Sequence, residues 1–192
     1  MSKNTMRLLT DYIVVLEDMI SDNICDEILK EYSNSTEWKE SVIGDNNEVN
    51  KTVRNCNSIF ISSDETINKN ITVRQNLDKE LFECFNKCIK LYNNKFKEAL
   101  VSKDTGYFLL KYERGDFYKE HVDSFTTVPR TISCSLILNN DFEGGSFSFF
   151  KNEFMYFLKK RSIIMFPSNF IYPHAVLPVI KGTRYSIVTW FI

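Results

Sequence analysis

The chain has 192 residues, 43% of them hydrophobic, enough for one well-buried core and short for two, so a single domain over 1–192 is expected. With 24 basic against 25 acidic residues the net charge is -1, which excludes the global attraction to a polyanion expected of a protein built around nucleic acid or an anionic membrane. No apolar run approaches the roughly 20 residues of a membrane span, and the short run "YIVVL" is flanked by Asp11 and Glu17, unlike a signal peptide, so the expectation is a soluble, cytoplasmic protein.

Residues 12–16 are β-branched and apolar and read as a short buried strand. In "SDNICDEILKEY", Ser21 to Asn23 are N-cap candidates and Cys25, Ile28, Leu29 and Tyr32 form an apolar stripe at i, i+3, i+4, i+7, which predicts a helix. The polar, Asn-rich residues 33–52 read as a long loop, with 41–52 either a lid or plain surface, before the strand "SIFIS". From about 76 to 98, Leu77, Leu81, Cys84, Phe85, Cys88, Tyr92 and Phe96 repeat at spacings of three and four, giving a long amphipathic helix. Five cysteines without a dense framework fit reduced thiols. Cys84 and Cys88 lie one helical turn apart, but no other soft ligand is near them in sequence, and they read as small apolar residues on a buried stripe.

After residue 106 short β-rich runs follow one another: "GYFLLKY", "HVDSF", "TISCSLILN", "GSFSFF", "EFMYFL", "SIIMF", "AVLPV" and "RYSIVTWFI", punctuated by "NNDFEGG", "PSN" and "IKGT". Such spacing predicts a sandwich or barrel over about 106–192, buttressed by the helices of about 1–105: a mainly β chain with flanking helices, of the α+β class.

The chain owns two histidines, His121 in "YERGDFYKEHVDS" and His174 in "FIYPHAVLPV". If "HVD" is extended, His121 and Asp123 share one face of a strand. His174, from a distant strand across the barrel, would complete two imidazoles and one carboxylate, the facial set that leaves positions open on a ferrous ion. Zinc suits the same donors. The plainer reading puts His121 and Asp123 on a solvated rim and makes His174 a hydrogen-bonded core residue. Arg184 weighs against that reading: on its strand it shares a face with Ser186 and Trp190, and a guanidinium among apolar neighbours requires an anion, matched best by a carboxylate.

These residues carry a resemblance. "YERGDFYKEHVD", "RTISCSLILNNDFEGGSFSF" and "PHAVLPVIKGTRYSIVTWF" resemble the 2-oxoglutarate and Fe(II)-dependent dioxygenases, in their prolyl 4-hydroxylase-like branch, and "VVLEDMISDNICDEILKEY" and "VRNCNSIFIS" look like that family's opening elements. The resemblance implies a double-stranded β-helix, or jelly roll, with His121, Asp123 and His174 as catalytic Fe(2+) ligands. Arg184 would bind the far carboxylate of 2-oxoglutarate, with Tyr112, Ser186 and Trp190 around the cosubstrate. The implied reaction consumes O2 and 2-oxoglutarate, releases succinate and CO2, and hydroxylates a C–H bond, with ascorbate as an accessory. Many relatives have a tyrosine where this chain has Ile137, so one cosubstrate contact is absent. Phe147, Phe149, Met165 and Trp190 are either an apolar wall that keeps water out or simply core.

By resemblance the substrate is a prolyl residue in a peptide or protein, as for a procollagen-proline 4-dioxygenase, then a free amino acid or lysyl residue. Residues 41–52 and the stretch around Phe117 and Tyr118 are candidate substrate-facing parts. A nucleic-acid demethylase of this superfamily would carry a second arginine six residues after the first, where this chain has Trp190, so neither nucleic acid nor membrane is the expected partner. A non-catalytic metal-binding jelly-roll module is the remaining alternative, and it has no use for Arg184.

Overall fold

The computed structural model describes residues 6–44, 47–62, 71–127 and 129–192. A 3-10 turn at Leu9–Tyr12 leads into β1 (Val14–Leu16) and α1 (Asp22–Tyr32). Ser21 caps α1, its Oγ accepting the Ile24 N–H at 3.3 Å and so satisfying one of the donors a helix start leaves open. Three of the four predicted stripe residues, Cys25, Ile28 and Tyr32, are buried. β2 (Lys39–Glu40), β3 (Arg54–Asn55) and β4 (Asn57–Phe60) follow, then α2 (Ile71–Lys95). α2 starts at Ile71, ahead of Leu77, the first residue of the apolar stripe. The stripe itself, Leu77, Leu81, Cys84, Phe85, Cys88 and Tyr92, is buried throughout, with Phe96 just beyond the helix end. Cys84 and Cys88 lie in this core with Cys134, all three as free thiols.

The remaining strands are β5 (Phe108–Tyr112), β6 (Phe117–His121), β7 (Ile132–Ile137), β8 (Phe142–Gly144), β9 (Phe147–Phe149), β10 (Phe154–Tyr156), β11 (Ile163–Pro167), β12 (His174–Val176), β13 (Val179–Gly182) and β14 (Arg184–Phe191). They form a seven-stranded sheet, β1-β11-β7-β14-β5-β4-β2, a five-stranded sheet, β10-β9-β12-β6-β3, and the hairpin β13-β8. Every strand pairing is antiparallel, as in the expected jelly roll. The N-terminal half supplies more than helical support, since β1, β2 and β4 extend the large sheet and β3 extends the small one. The chain changes sheets at Cys56, between β3 and β4.

The large sheet is buried on both faces, and strand alternation decides what each face holds. On one face Leu109, Cys134, Leu136, Ile163, Met165, Ile187 and Phe191 pack with the residues of α1 and α2. On the other, Leu110, Tyr112, Ile164 and Phe166 pack with Phe147, Phe149 and Val176 of the small sheet. Met165 therefore faces the helices, as its reading as core has it, and is not among the residues lining the cavity described below, while Phe166 beside it faces the interior. Among the described residues no helix is long and apolar enough to cross a membrane.

Candidate active site

The inner face of the large sheet is not uniformly apolar. Ser133 and Ser135 interrupt β7, and Arg184 and Ser186 open β14, all of them buried. Opposite them, β6 ends at His121 and β12 begins at His174, and the two histidines are direct cross-strand partners. Two sequence expectations need correcting here. His174 comes from the strand next to His121, not from across the barrel. Asp123 lies past the end of β6 in a bend, so the convergence of His121 and Asp123 is not made by strand alternation. It is fixed by tertiary bonds, the Asp123 and Ser124 N–H groups both donating to the Ser168 carbonyl.

The three side chains meet. Asp123 Oδ1 is 3.4 Å from His121 Nε2, Asp123 Oδ2 is 3.5 Å from His174 Nε2, and one ligand atom from each residue lies within 4.8 Å of the others. Each ring's Nδ1 contacts a backbone carbonyl, of Lys119 at 2.8 Å and of Tyr172 at 3.1 Å. A carbonyl only accepts, so each Nδ1 carries a proton, and Nε2 is the ring atom turned toward the carboxylate. Burial, then the neighbouring His121, push His174 down to about 4, and it is neutral at physiological pH. Burial works to raise the Asp123 carboxyl, but His174, His121 and the Ser133 hydroxyl, which donates at 2.6 Å, outweigh it and hold it well below the usual carboxylate range. Two imidazoles whose Nε2 atoms turn toward an ionised carboxylate, held from behind by carbonyls and a hydroxyl, are the donor set and outer support of an open divalent-metal site.

Arg184 is 1% exposed. Its Nη1 donates to Ser186 Oγ at 2.8 Å, Nη2 is buried without a partner, and no carboxylate pairs with it among the described residues. Its carbon Cζ lies 5.3 Å from the Tyr112 ring centre, across the strand pair, and 5.4 Å from that of Phe147. The stem is backed by Gly145, at φ +63, where a Cβ would come within 2.7 Å of Arg184 Cδ. A glycine is required there on both counts.

One cavity of about 180 Å³ holds all of these groups: His121, Asp123, His174, Tyr112, Arg184, Ser186 and Trp190 line it, with Phe147 and Phe166 as apolar wall. All the residues predicted for the site are thus brought together. Phe149, read as either apolar wall or core, is core: it is buried against Phe166 and His174 and is not among the residues lining the cavity. Val42, Gly44 and Asn47 place part of the 41–52 loop at this cavity, and Tyr118 stacks on the His121 ring with centroids 3.4 Å apart. Sequence reasoning missed Ser133, Arg54 and Arg130. Arg54 lies over the Tyr118 ring at 4.7 Å and donates to the Val42 carbonyl. Arg130 lies over Trp190 at 3.6 Å and donates to the Asp123 carbonyl at 3.1 Å. Only Ser133 left a legible signal, as a polar residue alternating through an otherwise apolar strand.

The family model described as the 2OG-Fe(II) oxygenase superfamily matches residues 107–192. A PKHD-type hydroxylase of Idiomarina loihiensis is 34% identical over 86 residues, which cover 42% of this chain and 38% of the relative, so the matched region spans well under half of that protein. Among solved structures, a Trichoplax adhaerens prolyl hydroxylase in complex with a hypoxia inducible factor peptide fragment superposes with a TM-score of 0.79 at 19% identity, covering 95% of this chain and 84% of that one. A Pseudomonas putida prolyl-4-hydroxylase gives 0.71 at 17% identity, over 94% and 92% of the two chains. A viral collagen prolyl hydroxylase from Paramecium Bursaria Chlorella virus-1 gives 0.67 at 18%, over 94% and 95%. At these identities the structural matches establish a shared fold, over nearly the whole chain. Residues 107–192, which carry the His-Asp-His cluster and Arg184, are thus the part of the chain that is similar to the 2OG-Fe(II) oxygenase superfamily.

Proposed function

We propose that the protein is an Fe(II)- and 2-oxoglutarate-dependent dioxygenase that hydroxylates a prolyl residue in a peptide or protein. The observation that carries this reading is a buried guanidinium without an anion in the same cavity as a three-residue metal-ligand set. A structural metal site accounts for the cluster but leaves the cost of burying Arg184 unexplained. A dicarboxylate accounts for both.

In this reading His121 Nε2, Asp123 Oδ1 and His174 Nε2 hold the ion. Iron bound there, with 2-oxoglutarate and O2, supplies the oxidation of a C–H bond to an alcohol, coupled to decarboxylation of the cosubstrate to succinate and CO2. The protein's own part is positioning. Arg184 receives the distal carboxylate on Nη2, and Ser186 fixes the fork so that little freedom is lost on binding. Ser133 holds Asp123, leaving its other oxygen for the ion. Phe147 and Phe166 keep water from the reacting centre. No side chain is required as a general base.

A prolyl peptide as substrate is supported by the match to a prolyl hydroxylase whose solved complex holds a peptide. Further support comes from the aromatic and cationic groups that also line the cavity, Tyr118, Trp190, Arg54 and Arg130. The test has two arms. Purified protein with Fe(II) should convert 2-oxoglutarate to succinate, and Asp123→Ala and His174→Ala should not; undiminished turnover in both variants overturns the metal assignment. Proline-rich peptides, free proline and lysyl peptides are then screened by mass spectrometry for gain of one oxygen. Gain only on free amino acids or lysyl peptides overturns the prolyl-peptide reading and leaves the oxygenase reading standing.

A further inference from the structure

Three of the four edges of the two main sheets are short and polar or largely covered. β2 and β3 have two residues each, Lys39–Glu40 and Arg54–Asn55, and β1 has three, of which Val14 and Leu16 pack into the core. Short, charged edges resist pairing with another chain. β10 differs. It ends the five-stranded sheet, pairs among the described residues with β9 alone, and presents Phe154 and Met155, followed by Phe157 at 75% exposure. Exposure alternates beyond the paired residues: Met155, Phe157 and Lys159 are exposed, while Tyr156 and Leu158 are partly covered and pack against the core between the sheets. β10 itself ends at Tyr156, and this alternation continues the period of a strand to residue 159.

The outward side chains of this stretch read Glu153, Met155, Phe157, Lys159. The series is complementary to itself when reversed. In an antiparallel pair with a two-fold axis at Tyr156, Glu153 of one copy faces Lys159 of the other and Met155 faces Phe157, and symmetry repeats both pairs. Neighbouring registers lose this match. Moving the axis to Met155 sets Lys159 against Lys151 and Glu153 against Phe157, and moving it to Phe157 sets Met155 against Lys159. A shift by a single residue turns apolar side chains to the wrong face.

We propose that β10 is a homodimer interface at which two copies join their five-stranded sheets edge to edge, about a two-fold axis at Tyr156. Residues 153–159 are far fewer than the roughly 20–30 a side of a standard interface, so the dimer is concentration-dependent. None of residues 153–159 lines the metal cavity.

Sedimentation velocity of the full chain, from low micromolar to a few hundred micromolar, reads the equilibrium. A monomer-to-dimer shift is expected. Glu153→Lys and Lys159→Glu each set like charges across both symmetric pairs and should weaken dimerisation at least about tenfold. The double variant Glu153→Lys/Lys159→Glu rebuilds the pairs with signs exchanged and should restore it. Phe157→Asp should give monomer at every concentration with an unchanged circular dichroism spectrum. A wild type that stays monomeric, single charge variants that dimerise like wild type, or a double variant no better than the singles would each overturn the proposal.

Discussion

A guanidinium 1% exposed, with one nitrogen bonded to a serine hydroxyl and another bonded to nothing, has given up hydration without recovering it. Hydrogen bonds to charged groups contribute about 1.5–3 kcal/mol, so the carboxylate that completes Arg184 gains a large fraction of its affinity there. Arg184→Gln keeps a donor and removes the charge and the fork. It should raise the KM for 2-oxoglutarate about 10- to 100-fold, measured by succinate formation, with metal affinity unchanged by isothermal titration. Gly145 makes a second test of the same contact. Alanine there meets both the left-handed backbone and Arg184 Cδ, a clash the arginine relieves only by moving. Gly145→Ala should lower stability by about 1–2 kcal/mol for the backbone term alone and raise the KM for 2-oxoglutarate, whereas a purely structural glycine would show the first effect without the second.

At the scale of elements, α2 is the buttress of the large sheet, and Phe85 is its fully buried centre, stacked on Tyr107 at 5.4 Å between centroids. Phe85→Ala should cost about 3–5 kcal/mol, read by urea unfolding, and should shift cosubstrate KM little, because the helix lies on the sheet face away from the cavity. This element was legible in sequence because a stripe at spacings of three and four is a local signal. Arg184, Ser186 and Trp190 were legible on one face of β14 for the same reason at period two. The relation of His121 to Asp123 was not, since β6 stops at His121 and the bend that turns Asp123 inward is set by Ser168, far along the chain. Nor was the adjacency of β6 and β12, which follows from the order β10-β9-β12-β6-β3. Strand order is a product of long-range pairing and leaves no mark in a short run of sequence. Arg54 and Arg130 escaped notice because an arginine in a polar stretch of sequence looks the same whether it faces solvent or a cavity.

At the scale of the whole molecule, the site is a joint between two sheets. His121 and His174 belong to the small sheet, Arg184, Ser186 and Ser133 to the large one, and Asp123 follows β6 while bonding to Ser133 of β7. A metal held by the cluster chiefly ties β6 and β12 together, whereas a dicarboxylate reaching from that metal to Arg184 spans the core. The two ligands should therefore stabilise in sequence and with different dependences. A ligand at about 100 times its Kd adds about 2.7 kcal/mol, and a chain of this size gains about 2–4 °C per kcal/mol, so each step should raise Tm by about 5–11 °C under anaerobic conditions. Asp123→Ala should abolish both steps, because the dicarboxylate then has no metal to chelate. Arg184→Gln should keep the first and lose most of the second. If 2-oxoglutarate alone raised Tm as much in Asp123→Ala as in wild type with metal, the cosubstrate would be bound by Arg184 without the cluster, and the joint between the two sheets would not be closed by a bridging ligand.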